Sequence, residues 1–401
     1  MKDPSAPHRS QARGGALQRG RSIAFRRPPL RIWGWTAVTI ALVLVAALLW
    51  RSSDAAATSS RTAPAGAAPS GTPAGEVSQA WSAPGALPAT VVAGGRVLVG
   101  SVHGVRALDP VSGAEVWHYT RSNARVCGLT VVDELAVAVF RTASRCNEVV
   151  ALRAATGVRA WTRNLNLRAD ATLVSTDRIV LAISPTGLLT FDPVGDNVRW
   201  RYRPPAGCAL LGATAGRSGV AVLQRCASGA PAQLRLLDGF AGTSHWSRDV
   251  AAPPGTTPRL VDADQLVGVQ VGGELRLLSG TDGSALGTLP VPGSAPVAEE
   301  AAGSTALVRI GDTLTALEDT TGRTRWTVPA IGLPAPAAPS TGTPAPPVVV
   351  VPDPAGFTRR SLDTGAELGS SAVHGLPAGG TARALGATIV YRLPDRVVVF
   401  R

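Results

Sequence analysis

The sequence lacks most of the patterns that mark an enzyme or a metal site. Its five histidines form neither an HxH nor an HExxH pattern, and its four cysteines form no CxxC pair, so nothing indicates a zinc site. No Ser/His/Asp arrangement and no phosphate-binding glycine loop stands out. Scattered histidines in strands or loops are usually structural or exposed, and we assign no metal role to His8, His103, His118, His245 and His374.

Lysine is almost absent, since arginine supplies every positive charge after Lys2. The net charge is +12, of which residues 1–31 account for +7 and residues 51–75 for +1. The remaining +4 belongs to residues 76–401 and is a mild net charge for a segment of that length. Nothing in this balance requires a nucleic-acid partner, whereas anionic wall or membrane surfaces remain candidate partners.

One uncharged run, residues 32–50, has the length of a membrane-spanning helix, which takes about 20 apolar residues. Trp33, Trp35 and Trp50 lie at its ends, as aromatic residues do at membrane interfaces. The basic excess before the run predicts a cytoplasmic N-terminus and an outside location for everything after residue 50. A cleaved signal peptide is the alternative, but its apolar region is usually only about 7–15 residues long. No cysteine stands directly after the run to carry a lipid.

Two polar segments flank this helix. Residues 1–31 hold eight basic residues and one acid without apolar periodicity, which predicts a disordered cytoplasmic tail. Residues 51–75 consist mostly of Ala, Ser, Thr, Pro and Gly, which predicts a flexible, partly extended tether. Residues 76–401 then form the domain outside the membrane.

A short phrase recurs through residues 76–401. Its first copy reads ALDPVSGAEVW over residues 107–117, and later copies keep an apolar pair, a turn with Gly and a closing Trp. Six tryptophans follow one another at spacings of 36, 44, 39, 46 and 80 residues, and the last spacing is two periods with Gly287 in the skipped position: Trp81, Trp117, Trp161, Trp200, Trp246 and Trp326. A fixed period of this length marks a repeat architecture.

Each repeat contains short apolar runs bounded by turn residues, which predicts strands and hairpins. The turns carry Asp, which bonds to nearby backbone N–H groups, and Gly, which accepts positive φ: Asp109, Asp192, Asp238, Gly113, Gly157, Gly242, Gly283 and Gly322. Four antiparallel strands in about 40 residues make one propeller blade. We expect each repeated Trp to cover a neighbouring blade.

The fold class predicted is therefore all-β, an eight-bladed β-propeller of four-stranded antiparallel blades preceded by one transmembrane helix. Seven blades is the alternative, because the last two repeats are degraded. Residues 387–391 and 396–400 form two strands without a closing phrase, and we expect the segment ending at Trp81 to complete their blade. The proline-rich residues 333–347 are expected to form an exposed loop, because Pro cannot extend a sheet ladder.

The phrase A-L-D-x-x-T/S-G-x-x-x-W at steps of about 40 residues resembles the pyrroloquinoline-quinone-like (PQQ-like) β-propeller repeat family. The family includes quinoprotein dehydrogenases, a lipoprotein of outer-membrane barrel assembly and sensor domains of membrane kinases, so it implies a fold rather than a role. The resemblance implies that a dehydrogenase would hold its quinone over a tryptophan and against a disulfide of adjacent cysteines, with Ca²⁺ on clustered oxygens. This sequence has no adjacent cysteines and shows no such cluster, so we expect no cofactor.

The four cysteines lie at nearly equivalent positions of two repeats. Cys127 and Cys146 are 19 residues apart, and Cys208 and Cys226 are 18 apart. An even count outside the membrane favours disulfides. Of three connectivities we favour 127–146 and 208–226, each tying the inner strand of a blade to the turn after its second strand.

These observations predict a non-catalytic protein-binding or scaffolding module of the cell envelope, anchored by one membrane helix. Its partner would be an envelope protein or a wall polymer. A quinone-dependent dehydrogenase and a sensor that uses the propeller channel for a small ligand or wall polymer are the alternatives.

Overall fold

The computed structural model describes residues 30–67, 69–85, 88, 91–142, 144–176, 178–195, 197–336 and 347–401. The chain divides into two compact units, one ending at Ser53 and the other running from Asp54 to Arg401. The basic tail predicted for residues 1–31 lies almost entirely outside the described residues.

The described part of the first unit forms one helix, Leu30–Arg51. Between Arg31 and Arg51 the mean hydropathy of its most apolar stretch is 2.2. Its side chains are exposed along the whole described length. The helix predicted for residues 32–50 is therefore present, and its length and composition suffice to cross a membrane.

The second unit is built from eight blades, and the strands of each blade are named from the innermost outwards. Blade 1 comprises Val92–Ala93, Arg96–Ser101, Gly104–Leu108 and Glu115–Arg121; blade 2 comprises Arg125–Val132, Leu135–Thr142, Arg145–Arg153 and Arg159–Leu167. Blade 3 comprises Thr172–Ser175, Val180–Ser184, Gly187–Phe191 and Val198–Tyr202; blade 4 comprises Ala209–Gly216, Gly219–Arg225, Ala232–Leu237 and Ser244–Val250. Blade 5 comprises Arg259–Ala263, Leu266–Val271, Glu274–Ser279 and Ala285–Pro290; blade 6 comprises Val297–Ala302, Thr305–Ile310, Thr313–Glu318 and Thr324–Pro329.

Blades 7 and 8 close the ring. Blade 7 contains Val348–Asp353, Gly356–Ser361 and Glu367–Ala372, and blade 8 contains Thr381–Leu385, Thr388–Arg392, Arg396–Phe400 and Gln79–Pro84. The segment around Trp81 thus pairs with the last strand of the chain, with Trp81 opposite Val399. The predicted closure and the eight-bladed ring are confirmed, and the seven-bladed alternative is wrong.

The strands of each blade run between two faces of the ring. The turn face carries the turns between first and second strands and those between third and outer strands, for example residues 133–134 and 109–114. The connection face carries the turns between second and third strands and the connections between blades, for example residues 122–124 and 168–171.

The second strands are nearly continuous runs of buried apolar residues. Leu135 to Phe140 in blade 2 and Val220 to Leu223 in blade 4 are all buried. Both faces of such a strand are covered by neighbouring blades, so the alternation typical of a half-exposed strand is lost. The core of the domain therefore lies between the blades.

Residues 333–336 take the inner position of blade 7, so the exposed loop predicted for residues 333–347 is wrong at its start. Leu333 and Ala335 are buried, and their N–H groups donate to Gly380 and Ala382 of blade 8 at 2.8 and 2.7 Å. The alternate positions are prolines, which have no N–H to satisfy, and an edge strand tolerates this pattern. The middle of the loop, residues 337–346, lies outside the described residues.

The segment predicted as a flexible tether also differs from expectation. Asp54–Ala57 forms a short helix, and Thr58–Arg61 adds a fifth strand to the outer edge of blade 1. Farther along, the N–H of Ala387 in blade 8 donates to Ser70 at 3.1 Å. The N–H of Ala372 in blade 7 donates to Gly75 at 2.8 Å. Backbone hydrogen bonds hold the segment in place. Because these bonds do not require apolar side chains, the sequence shows no apolar pattern here.

Each repeat tryptophan joins its own blade to the next. Trp117 of blade 1 is fully buried, and its indole N–H donates a 2.8 Å hydrogen bond to the carbonyl oxygen of Ala154 in blade 2. Its ring lies so close to Gly157 (φ 73°) that a Cβ there would stand 2.7 Å from a ring carbon. Within the described residues the same bond is made by Trp81 to Pro110, Trp117 to Ala154, Trp161 to Pro193, Trp200 to Gly239, Trp246 to Gly280 and Trp326 to Leu362.

The aspartates of the phrase shape the turns that receive these indoles. Asp238 accepts the N–H groups of Phe240 and Ala241 at 2.8 and 2.5 Å. The amide of Ala241 is the main cause that lowers the pKa of Asp238 below its ordinary value. Asp109 and Asp192 accept two turn amides in the same way. Positive φ is adopted by Gly113, Gly157, Gly242, Gly283 and Gly322.

Two seams lack the tryptophan. Gly287 lies opposite Leu277 and stands in the Trp position of blade 5, as the spacing predicts. In blade 7 the same position, opposite Arg359, is held by Gly369. A bulge precedes this position, as one precedes the Trp position of blade 1, and Gly369 follows the turn glycine Gly365 by four residues, as Trp117 follows Gly113.

The structure confirms the two predicted disulfides. Cys127 on the inner strand of blade 2 is bonded to Cys146 at the start of the third strand. Cys208 precedes the inner strand of blade 4 and is bonded to Cys226, which follows the second strand. Each bond therefore ties together strands of one blade.

Replacing Trp117→Phe tests the joint between blades. The change removes the indole N–H and leaves the Ala154 carbonyl oxygen buried without a partner, which costs about 1–3 kcal/mol. We expect a lower melting temperature by circular dichroism. Val158→Ala, at an exposed position of the receiving turn, is the control and should melt like the parent. Equal melting of all three proteins would contradict a stabilising role for the indole bond.

Candidate functional site in the central channel

The inner strands enclose a cavity of about 1160 Å³ on the propeller axis. Residues of the first turns, such as Asp133, Arg178 and Arg217, also line it, so it reaches the turn face. Each of the eight blades contributes to the wall, for example through Val92, Val131, Ser175, Gly216, Asp262, Glu300, Pro336 and Arg383. The volume is somewhat above the roughly 300–1,000 Å³ that is typical of small-molecule sites.

Four carboxylates meet on one side of this channel. Asp262 and Asp264 come from the inner strand of blade 5 and the turn after it, and Glu299 and Glu300 from the inner strand of blade 6. Burial, opposed by an amide and aided by neighbouring carboxylates, raises the pKa of Asp262 to about 7. Burial also raises the pKa of Glu300 to about 7. Around neutral pH these two groups are therefore partly protonated.

Of the four carboxylates, Glu299 is the one with both oxygens buried and without a hydrogen-bond partner among the described residues. These oxygens lie beside Gly268 of blade 5, where a Cβ would stand 2.9 Å from one oxygen. Burial and the charges of Asp262 and Asp264 raise the pKa of Glu299 well above its ordinary value. The surroundings of Glu299 therefore favour its protonated, neutral form.

Arginines balance part of this charge. The guanidinium of Arg217 in blade 4 binds Asp264 through Nε at 2.8 Å, and its Nη2 donates to the Gly303 carbonyl oxygen of blade 6. The positive charges of Arg383 and Arg392 in blade 8 oppose the rise in the pKa of Glu300. Burial lowers the pKa of Arg383. Arg217 thus links three consecutive blades and crosses the seam between blades 5 and 6, where Gly287 replaces the tryptophan.

Sequence reasoning missed this group, because it found no clustered carboxylates. The signal was present as Val261-Asp262-Ala263-Asp264 and Glu299-Glu300, acids inside inner strands that are otherwise apolar or small. Only the ring brings them together, since Asp262 and Glu299 are 37 residues apart in the chain. Among the described residues, no three His, Cys, Asp or Glu side chains are placed to hold a metal ion.

The residues singled out from the sequence lie mostly elsewhere. The repeat tryptophans and glycines form the seams between blades, and the cysteines lie within blades 2 and 4. Of the predicted repeat residues, Asp192 lines the described part of the channel wall. The repeat residues therefore build the blades around the channel, and other residues line most of its described wall.

The comparison with known families gives a match over most of the chain. The family described as outer membrane protein assembly factor BamB, a PQQ-like propeller family, matches residues 46–207 and 230–393. The chain belongs to this family. No curated protein matches the chain.

Three solved structures illustrate the range of similar folds. BamB from Moraxella catarrhalis is 17% identical, covers 81% of this chain and 99% of its own, and has a TM-score of 0.45. The computationally designed Ika8 protein is 14% identical, with coverage of 76% and 92% and a TM-score of 0.46. A quinohemoprotein alcohol dehydrogenase from Pseudomonas putida HK5 is 12% identical, with coverage of 82% and 76% and a TM-score of 0.46.

The channel residues do not fit the quinone site that some family members carry. No tryptophan side chain is among the described residues that line the cavity. The four cysteines pair across strands, so no disulfide joins adjacent residues. The tryptophan and the disulfide of that site are thus missing from the described channel wall, although four carboxylates meet there.

The raised carboxyl pKa values predict a pH dependence of stability. A carboxyl group whose pKa is raised by folding binds more protons in the folded than in the unfolded state. Stability therefore falls as the pH rises from about 4.5 through about 7. We expect the melting temperature of the protein to fall across this window, and Glu299→Gln to flatten the fall because it removes one such group. Exposed Glu76→Gln is the matched control and should keep the parental profile. Parallel profiles for all three proteins would contradict the assignment.

Proposed function

We propose that this protein is a non-catalytic binding module of the cell envelope, held by one membrane helix with its N-terminus in the cytoplasm and the propeller outside. The family description, an outer membrane protein assembly factor, supports a role in binding envelope proteins. The apolar helix Leu30–Arg51 and the basic residues before it support the anchor and its direction. The channel lacks the tryptophan and the disulfide of a quinone site, which supports a role other than quinone-dependent dehydrogenation.

One surface carries this proposal. Val194 and Phe240, in turns of the neighbouring blades 3 and 4, are 62% and 44% exposed and line the same channel mouth on the turn face. The guanidinium of Arg199 lies 4.5 Å above the Phe240 ring. Exposed apolar side chains beside an arginine and an aromatic ring are typical of the centre of a protein interface.

Other turns extend this surface. Val111 of blade 1 and Val158 of blade 2 are also exposed on the turn face, again in the turns before the outer strands. Four consecutive blades therefore present apolar tips in one arc. A partner protein that covers the arc would contact Val111, Val158, Val194 and Phe240 together.

Photo-crosslinking in cells tests the proposed surface. A photoreactive residue would replace Phe240 or, separately, Val102, which is 59% exposed on the connection face. We expect discrete envelope proteins to be captured from position 240 and not from position 102. Capture from neither position, or equally from both, would contradict the proposed surface.

A substitution at the same residue gives an affinity measurement. With the crosslinker at Val194, Phe240→Ser should reduce capture at least about tenfold, because an interface aromatic typically contributes about 2 kcal/mol or more. Val102→Ser is the control and should leave capture unchanged. Unchanged capture in Phe240→Ser would show that Phe240 does not contribute to binding.

A further inference from the structure

A second cavity lies on the connection face, between blades 2 and 3. It has a volume of about 430 Å³ and is lined by the ends of the outer strands and by the turn around Gly187. Four arginines converge on it: Arg145, Arg168, Arg201 and Arg203. No carboxylate is among its described lining residues. We call it the arginine cleft.

Two of these arginines have protein partners. Arg168 binds the carboxylate of Asp170 at 2.9 and 3.1 Å, and Arg145 donates to the side-chain oxygen of Asn166 at 2.9 Å. Arg201 and Arg203 make no side-chain hydrogen bond or ion pair with any described residue, and both are exposed. Asp170 offsets one of four charges, so the cleft keeps a strong positive charge.

The chemistry of the cleft selects an anion. A guanidinium group presents a planar fork of N–H donors that matches the oxygens of a phosphate, and several guanidinium groups can share one phosphate. Leu165, Leu167 and Leu189 supply an apolar wall beside the charges. A phosphate ester with a short carbon backbone has both features, and the volume falls in the range of small-ligand sites.

The path of the chain indicates where such an ester would come from. Asp54 stands three positions after Arg51, the last residue of the helix, and its carboxylate accepts hydrogen bonds from Arg121 at 2.6 Å and Asn123 at 2.7 Å on the connection face. Arg121 also binds Glu148 of blade 2. Arg145 precedes Glu148 by three residues on the same strand, which is about 10 Å. The chain therefore enters the propeller on the face that bears the arginine cleft.

We propose that the arginine cleft binds the phosphate of an anionic phospholipid headgroup. The cleft lies on the opposite face from the surface proposed for protein binding, so the two proposals depend on different residues. A free phosphate ester would satisfy the same donors, and displacement by glycerol phosphate separates these two sources.

The test uses the full-length protein in detergent micelles and native mass spectrometry. Phosphatidylglycerol or phosphatidylcholine would be added, and the bound lipids counted. We expect retention of phosphatidylglycerol in preference to phosphatidylcholine. The double variant Arg201→Gln/Arg203→Gln should lose at least about tenfold in apparent affinity for phosphatidylglycerol, since two charge-assisted contacts are removed. The helix and basic tail are unchanged in this variant, so lipid bound there contributes equally to the parent and the variant, and the difference between them reports on the cleft.

A matched control removes the same charge elsewhere. Arg159→Gln/Arg323→Gln alters two exposed arginines outside the cleft and should bind phosphatidylglycerol within about twofold of the parent. Circular dichroism checks that both double variants fold. Equal loss in both variants, or no preference for the anionic lipid in the parent, would overturn the proposal. Displacement of the lipid by glycerol phosphate at similar concentration would assign the cleft to free phosphate esters and overturn its assignment to lipid.

Discussion

The ring depends on one repeated interaction, the hydrogen bond from an indole N–H to a carbonyl oxygen in the turn of the next blade. A blade cannot bury both of its faces alone, so the domain is only as stable as its seams. At the seam of Gly287, where the indole is missing, Leu286 packs against Gly322 instead. Arg217 crosses the same region from blade 4 to blade 6. The contacts of Arg217 near the channel thus accompany the loss of the indole contact between the outer strands at this seam.

The periodic part of the fold was predictable from the sequence, and the aperiodic part was not. The tryptophan spacing predicted the blades, and two strands without a closing phrase predicted ring closure by the segment around Trp81. The segment from Asp54 to Gly75 has no periodicity, because main-chain groups make most of its contacts. Composition therefore predicted a tether where the structure shows a strap over blades 1, 2, 7 and 8. The prolines near residue 334 led to the wrong prediction of an exposed loop. Their missing N–H groups fall at alternate positions of the strand, where no hydrogen-bond donor is needed.

The candidate site was the least predictable feature. Asp262 and Glu299 come from different blades, and their proximity depends on how far the ring rotates from one inner strand to the next. The sequence shows only acids at positions where an inner strand usually carries small or apolar residues. That departure from the pattern was a usable signal, because a buried carboxylate without a partner is costly and persists only where the surroundings keep it neutral.

The two faces of the propeller differ in charge and in surface character, and this difference bears on how the two proposals combine. The turn face carries exposed apolar tips around a channel that holds the buried acids. The connection face carries the arginine cleft and receives the chain at Asp54. The two proposed ligands, an envelope protein and a lipid phosphate, would therefore bind opposite faces of the propeller and would not compete for the same residues.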